Sequence, residues 1–121
     1  MARQKDRRSF IAVHDEVVDH PKVEGLSDAA FRHLMRLWGR SHKDNMDGYV
    51  TDALARSKGP KVLKELTTPA YPGAEPLLEP KGEGLWYCHD YLEHQWSAAE
   101  REEMSERSRE NGRKGGRPRK T

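Results

Sequence analysis

Apolar positions recur along this chain in two periods, and the changes of period mark out the elements. Ser9-Phe10-Ile11-Ala12-Val13-His14 is short, apolar and partly β-branched, which predicts a strand. Val17 to Val23 is interrupted by Pro21 and reads as a connector or a short helical turn. From Ser27 to Ser41 the period becomes helical. At about 100° per residue, Ala30, Phe31, Leu34, Leu37 and Trp38 share one arc, with Met35 at its edge. Ser27 suits the N-cap and Asp28 the positive end of the helix dipole. Arg32, Arg36 and Arg40 fall on the opposite face, where a plain solvated surface is the simpler reading.

Asp44 to Gly48 is a turn, and Tyr49-Val50 suits a very short strand. Thr51 is placed to cap a helix from Asp52 to about Ser57, which Lys58-Gly59 interrupts. A further helix starts at Pro60, a residue tolerated in the first turn, and runs to about Thr68 before Pro69 stops it. Two short helices around a tight glycine-containing turn form a helix-turn-helix candidate. Pro69, Pro72, Pro76 and Pro80 exclude a helix or central strand next, although Leu77-Leu78-Glu79 can form an edge strand. Lys81-Gly82-Glu83-Gly84 reads as a turn and Leu85-Trp86-Tyr87-Cys88 as a clear strand, completing a hairpin. Ser97-Ala98-Ala99-Glu100 is a capping box that opens a helix to about Glu110, polar nearly all round.

The expected fold is therefore α+β: a winged helix-turn-helix domain over 9–96, preceded by a flexible N-terminus over 1–8. A short polar helix over 97–110 and a disordered basic Gly/Arg tail over 111–121 follow.

Composition narrows the partners. The 121 residues are 34% hydrophobic and 35% charged, so only part of the chain can pack into a core. No apolar run approaches a bilayer span, and the polar N-terminus lacks a signal-like stretch. A single cysteine, Cys88, fits a reducing cytoplasm and no internal disulfide. A cytoplasmic protein without a membrane partner is expected. The net charge of +2 hides a division: residues 1–96 hold 14 basic against 15 acidic side chains, and residues 97–121 hold 8 against 5. Such a basic end commonly attracts a polyanion.

Double-stranded DNA is the partner this pattern suggests. On the helix from Pro60, Val62, Leu63 and Leu66 lie on one side and Lys61 and Lys64 on the other, with Lys58 just before it. In a helix-turn-helix the second helix enters the major groove, so Lys58, Lys61 and Lys64 are candidate DNA contacts, with Arg56 nearby. No Asn or Gln accompanies them, which implies modest sequence specificity. Lys81 stands where a wing tip would touch phosphate. In the tail, Arg113, Lys114, Arg117, Arg119 and Lys120 alternate with Gly and Pro. Gly115-Gly116-Arg117-Pro118-Arg119 resembles the Gly-Arg-Pro centre of AT-hooks, although glycine rather than arginine precedes Gly116. Phosphate clamping is the simpler role for this tail, with minor-groove reading the alternative.

Cys88-His89-Asp90 and His94 raise the question of catalysis. No CxxC or HxxxH pair accompanies them, so neither a zinc site nor any other metal or cofactor is expected. Adjacent strand residues point to opposite faces, which separates Cys88 from His89 as a nucleophile–base pair. The expectation is a protein without catalytic residues.

Several runs together resemble a family of actinobacterial phage and prophage proteins. They are His20-Pro21-Lys22-Val23 followed by Gly25-Leu26-Ser27-Asp28-Ala29-Ala30-Phe31, then Asp47-Gly48-Tyr49-Val50, Leu85-Trp86-Tyr87 and His89-Asp90-Tyr91-Leu92-Glu93-His94. The run from Asn111 to Pro118 also matches. The resemblance implies a winged-helix domain of the replication-initiator type, similar to DnaD-like and phage replisome-organiser proteins. It implies action in replication initiation or transcription control, at the nucleoid of a bacterial host, with host or phage replication proteins as further partners. Longer relatives continue past the basic segment, so a helicase-recruiting domain is not expected here and a regulatory role gains weight. The alternative is a protein-interaction module that docks a host replication or transcription protein. A homodimer stays open, although no heptad seam appears.

Overall fold

The computed structural model describes residues 9–114. Its regular elements are α1 (Pro21–Glu24), α2 (Asp28–Lys43), β1 (Tyr49–Thr51), α3 (Asp52–Arg56) and α4 (Pro60–Thr67), then β2 (Leu78–Gly82), β3 (Leu85–Cys88), α5 (Tyr91–His94) and α6 (Ala98–Lys114). The class is α+β. The three strands form one antiparallel sheet in the order β1-β3-β2, so the short strand after α2 joins the far side of the later hairpin.

The long helix α2 forms where the amphipathic pattern placed it. The Ser27 hydroxyl accepts the Ala30 amide at 3.1 Å, and Arg40, His42 and Lys43 fill the last turn, where cations suit the dipole. Ala30, Leu34, Leu37 and Trp38 are buried, while Phe31 and Met35 are half-buried at the rim of the same face. Two polar residues, His33 and Ser41, are also fully buried there. The Ser41 hydroxyl accepts the Gly48 amide at 2.7 Å and so fixes the turn into β1. Gly48 has φ 102°, and a Cβ there would lie 2.9 Å from the Tyr87 ring, so only glycine fits this approach.

Val50 pairs with Trp86, and Leu78 with Cys88; their side chains meet α2, α4 and Tyr91 in one core. Pro80 lies on the edge strand β2, where its missing N–H costs no ladder bond. The ladder is irregular between Pro80 and Gly82, at Lys81. The hairpin turns through Glu83 and Gly84, both at positive φ as a type I′ turn requires.

Two expectations need correction. Ser9–His14 is not a strand: it pairs with no sheet edge, Phe10 is 76% exposed, and Ile11 packs only partly against the core. The segment is held by Gln95, whose side chain bonds both the amide and the carbonyl of Ala12 in place of a ladder. Gln95 directly follows α5, which is seated by the fully buried Tyr91. The polar helix α6 continues past Glu110, so Asn111 to Lys114 belong to it rather than to a disordered tail. Gly112 costs a helix only about 1 kcal/mol, and an ion pair from Arg113 to Glu110 at 3.0 Å spans it.

Candidate nucleic-acid interface

The helix-turn-helix candidate is built from α3, the turn at Ser57–Gly59 and α4. Thr51 caps α3 by accepting the Leu54 amide at 3.2 Å, and the Ser57 hydroxyl closes its end by donating to the Leu54 carbonyl at 2.8 Å. Gly59 takes φ 96°, which lets the chain reverse before Pro60 opens α4. Val62 and Leu66 are buried against the core, and Leu63 is half-buried. Lys58, Lys61 and Lys64 are exposed on the other side. Among the described residues none of the three has a carboxylate within ion-pair distance.

Glu65, the one acidic residue of α4, is bonded to the start of α2. Its carboxylate accepts the Ser27 amide at 2.9 Å and the Ser27 hydroxyl at 2.7 Å, tying α4 to the start of α2. The Ser27 backbone bond, then the hydroxyl bond, hold this carboxyl below its ordinary pKa. The helix is thereby tied to α2, and the Glu65 carboxylate stays near enough to Lys61 for that charge also to lower its pKa.

The other candidate cations are already engaged. Arg56 pairs with Asp52 at 2.8 Å and lies 5.4 Å from the Trp86 ring centre. Asp52 Oδ1 also accepts the Trp86 indole N–H at 2.8 Å, the larger cause of its lowered pKa, with Arg56 second. Lys81 pairs with Glu79 at 2.7 Å and lies 5.8 Å from the Tyr87 ring centre. That bond raises the Lys81 pKa and lowers that of Glu79. Arg113 pairs with Glu110 on α6, and Lys114 is the last residue of that helix. Arg117, Arg119 and Lys120 lie outside the described residues. The structure brings together Lys58, Lys61 and Lys64, with Arg56 beside them; Lys81 and Arg113 belong to other ion pairs.

One arginine that the sequence placed on a solvated face is engaged with the core. His33 Nε2 lies 3.1 Å from the Ala55 carbonyl, and Arg36 Nη1 lies 3.3 Å from His33 Nδ1. Burial lowers the His33 pKa, the Ala55 bond opposes this, and the charges of Arg36 and Lys58 lower it further. The spacing of three between His33 and Arg36 is visible in the sequence, but the burial of His33 against the Ala55 carbonyl is not.

The Cys88 region takes structural roles. Burial pushes the Cys88 thiol up to about 12, so it stays protonated and unreactive at neutral pH. His89 has a Glu75 oxygen 2.9 Å from one ring nitrogen and a Glu79 oxygen 2.8 Å from the other. Asp90 pairs with Lys22 at 3.2 Å and anchors α1. Among the described residues, no group of three or more His, Cys, Asp or Glu is arranged to hold a metal ion, and no helix is long and apolar enough to cross a membrane. No family model, characterised protein or solved structure matches this chain.

Proposed function

We propose that this chain is a winged-helix protein that binds duplex DNA, with α4 as the recognition helix and the β2–β3 hairpin as the wing. Support for the fold assignment comes from the element order α2-β1-α3-α4-β2-β3 and the sheet order β1-β3-β2. The observation that carries the function is the face of α4. Lys58, Lys61 and Lys64 are exposed and free of carboxylate partners among the described residues, on a helix held from behind by Val62, Leu66 and Glu65. Such a rigid cationic ridge neutralises phosphates and reaches into the major groove. Arg56, paired with Asp52, and Lys81, paired with Glu79, are secondary contacts that exchange a carboxylate for a phosphate on binding. The resemblance to phage replication-initiator proteins read from the sequence supports replication initiation or transcription control in a bacterial host as the setting, without a catalytic step.

A second reading has its own support. A groove of about 550 Å³ lies between α1 and the end of α4, with Pro21, Leu26, Lys61, Lys64, Glu65 and Pro69 in its lining. It suits a protein-interaction module better than a DNA reader. Binding of the full chain to a duplex across a salt series separates the two. DNA binding predicts a slope of log K against log salt that becomes shallower by about 1.8 in a Lys61→Ala/Lys64→Ala variant, about 0.9 per lost phosphate contact. An unchanged slope removes α4 as the DNA-contacting element and leaves the protein-docking reading.

A further inference from the structure

We propose that His89 is a proton-dependent switch for the wing: with both ring nitrogens protonated it takes over the Glu79 carboxylate and releases Lys81 to a backbone phosphate of the duplex. The inference rests on the DNA-binding reading, which makes Lys81 a wing contact, and adds to it a dependence on pH.

Strand register brings the groups together. Glu79 pairs with Tyr87 across β2 and β3, and side chains two apart on a strand share a face. Leu78 and Cys88 turn to the core, so Glu79 and Tyr87 stand on the outer face of the hairpin, with His89 just past the end of β3. The Tyr87 ring centre lies 5.6 Å from that of His89 and 5.8 Å from Lys81 Nζ. The His89 amide donates to the Leu77 carbonyl at 3.2 Å, which fixes the residue beside β2. One atom, Glu79 Oε1, then has two claimants: Lys81 Nζ at 2.7 Å and His89 Nε2 at 2.8 Å.

On the other side of the ring, a Glu75 oxygen stands 2.9 Å from Nδ1, so a carboxylate faces each nitrogen. A carboxylate only accepts, and only the imidazolium carries a hydrogen at both nitrogens. The neutral ring serves one carboxylate and turns a lone pair to the other. In the free protein Nε2 is buried and makes no aligned hydrogen bond, close as Glu79 is, while Oε1 serves Lys81. A buried polar atom left in that state is costly. Lys81 first and His89 second hold the Glu79 carboxyl below its ordinary pKa. When Lys81 turns to a phosphate, a proton taken from solvent by His89 keeps Glu79 neutralised and lets it bond Nε2. Without that proton Lys81 leaves a bare carboxylate behind, and the phosphate must compete with it. Among the described residues the other groups beside the ring are occupied: Asp90 pairs with Lys22, and Tyr87, whose pKa burial raises, packs against Tyr49.

The test measures duplex affinity of the full chain at constant ionic strength from about pH 8 to about pH 5.5, where histidine titrates, with melts at each pH to confirm folding. Wild type should bind more tightly at the acid end, and His89→Gln should remove about two- to fivefold of that gain, the scale of an exposed ion pair. Glu79→Gln should remove the same part of the gain while binding more tightly near pH 8, because Lys81 has no carboxylate to leave. Lys81→Ala should also remove it, with weaker binding throughout. His14→Gln, on an exposed histidine away from the wing, should keep the gain. Linkage is reciprocal, so nitrogen NMR at a fixed pH should show the doubly protonated fraction of His89 rising when duplex is added. A fraction that duplex leaves unchanged, or a gain that survives Lys81→Ala, would overturn the switch. If His89→Gln keeps the full gain while Lys61→Ala/Lys64→Ala flattens the salt slope, this inference fails and the DNA-binding reading stands. If none of these variants changes binding, both fail.

Discussion

Helices α4 and α6 both carry cations at helical spacing, yet they are opposite kinds of surface. On α4 the lysines stand on a helix whose other side is buried, and among the described residues no acid is paired with them. On α6 every residue from 102 to 113 is exposed. Its arginines are paired within the helix: Arg107 with Glu103 at 3.1 Å, Arg109 with Glu102 at 3.8 Å and Arg113 with Glu110. Only its first turn is anchored, by the Ser97–Glu100 capping box, by Asp47 accepting the Ala98 amide and by Arg101 reaching Asn45. The difference teaches that a count of cations does not define a polyanion site. What matters is whether their charge is already spent and whether a rigid core stands behind them.

The largest expected contrast is in stability. Leu66→Ala on α4 removes a fully buried side chain and should cost about 2–5 kcal/mol in denaturant unfolding. Met104→Ala on α6, where the side chain is exposed, should change stability by less than about 0.5 kcal/mol. Next in size is the binding contrast. Lys61→Ala/Lys64→Ala should reduce duplex affinity about tenfold or more at moderate salt, while Arg107→Ala/Arg109→Ala should have little effect. A smaller effect follows from the clamp behind α4. Ser27→Ala removes both the N-cap of α2 and the hydroxyl bond to Glu65, and should cost about 1–2 kcal/mol in a melt.

The finest contrast is pH dependence. Burial lowers the pKa of His33, His42 and His94 from 6.5. Below about pH 6.5 the unfolded chain therefore binds more protons than the folded one, and stability falls as pH drops toward the lowered values. Asp52, Glu65 and Glu79, also lowered, withdraw their contribution only at more acid pH, as it falls through their folded pKa values. A melting temperature that decreases from pH 7 to pH 5 is expected, and a flat profile would contradict the buried-histidine account. The α6 ion pairs are exposed and should add little to it.

Much of this contrast is legible in the sequence, because it depends on periodicity and capping. Ser27, Thr51, Gly59 and Pro60 mark the helix boundaries, and Val62 and Leu66 set the buried side of α4. The strand expected at Ser9–His14 fails for a tertiary reason: local β-propensity needs a partner edge, and Gln95 occupies the Ala12 backbone instead. The engagement of Arg56 and Lys81 is local, at i+4 from Asp52 and i+2 from Glu79, and could have been anticipated. The contact of Arg36 with His33 could not, since it depends on His33 being buried against a carbonyl 22 positions away.

The most direct test of the central claim is amide NMR of the full chain titrated with a short duplex. The account predicts the largest shifts at Lys58, Lys61 and Lys64, with smaller ones at the β2–β3 turn. Shifts confined to residues 102–114, with none on α4, would contradict it.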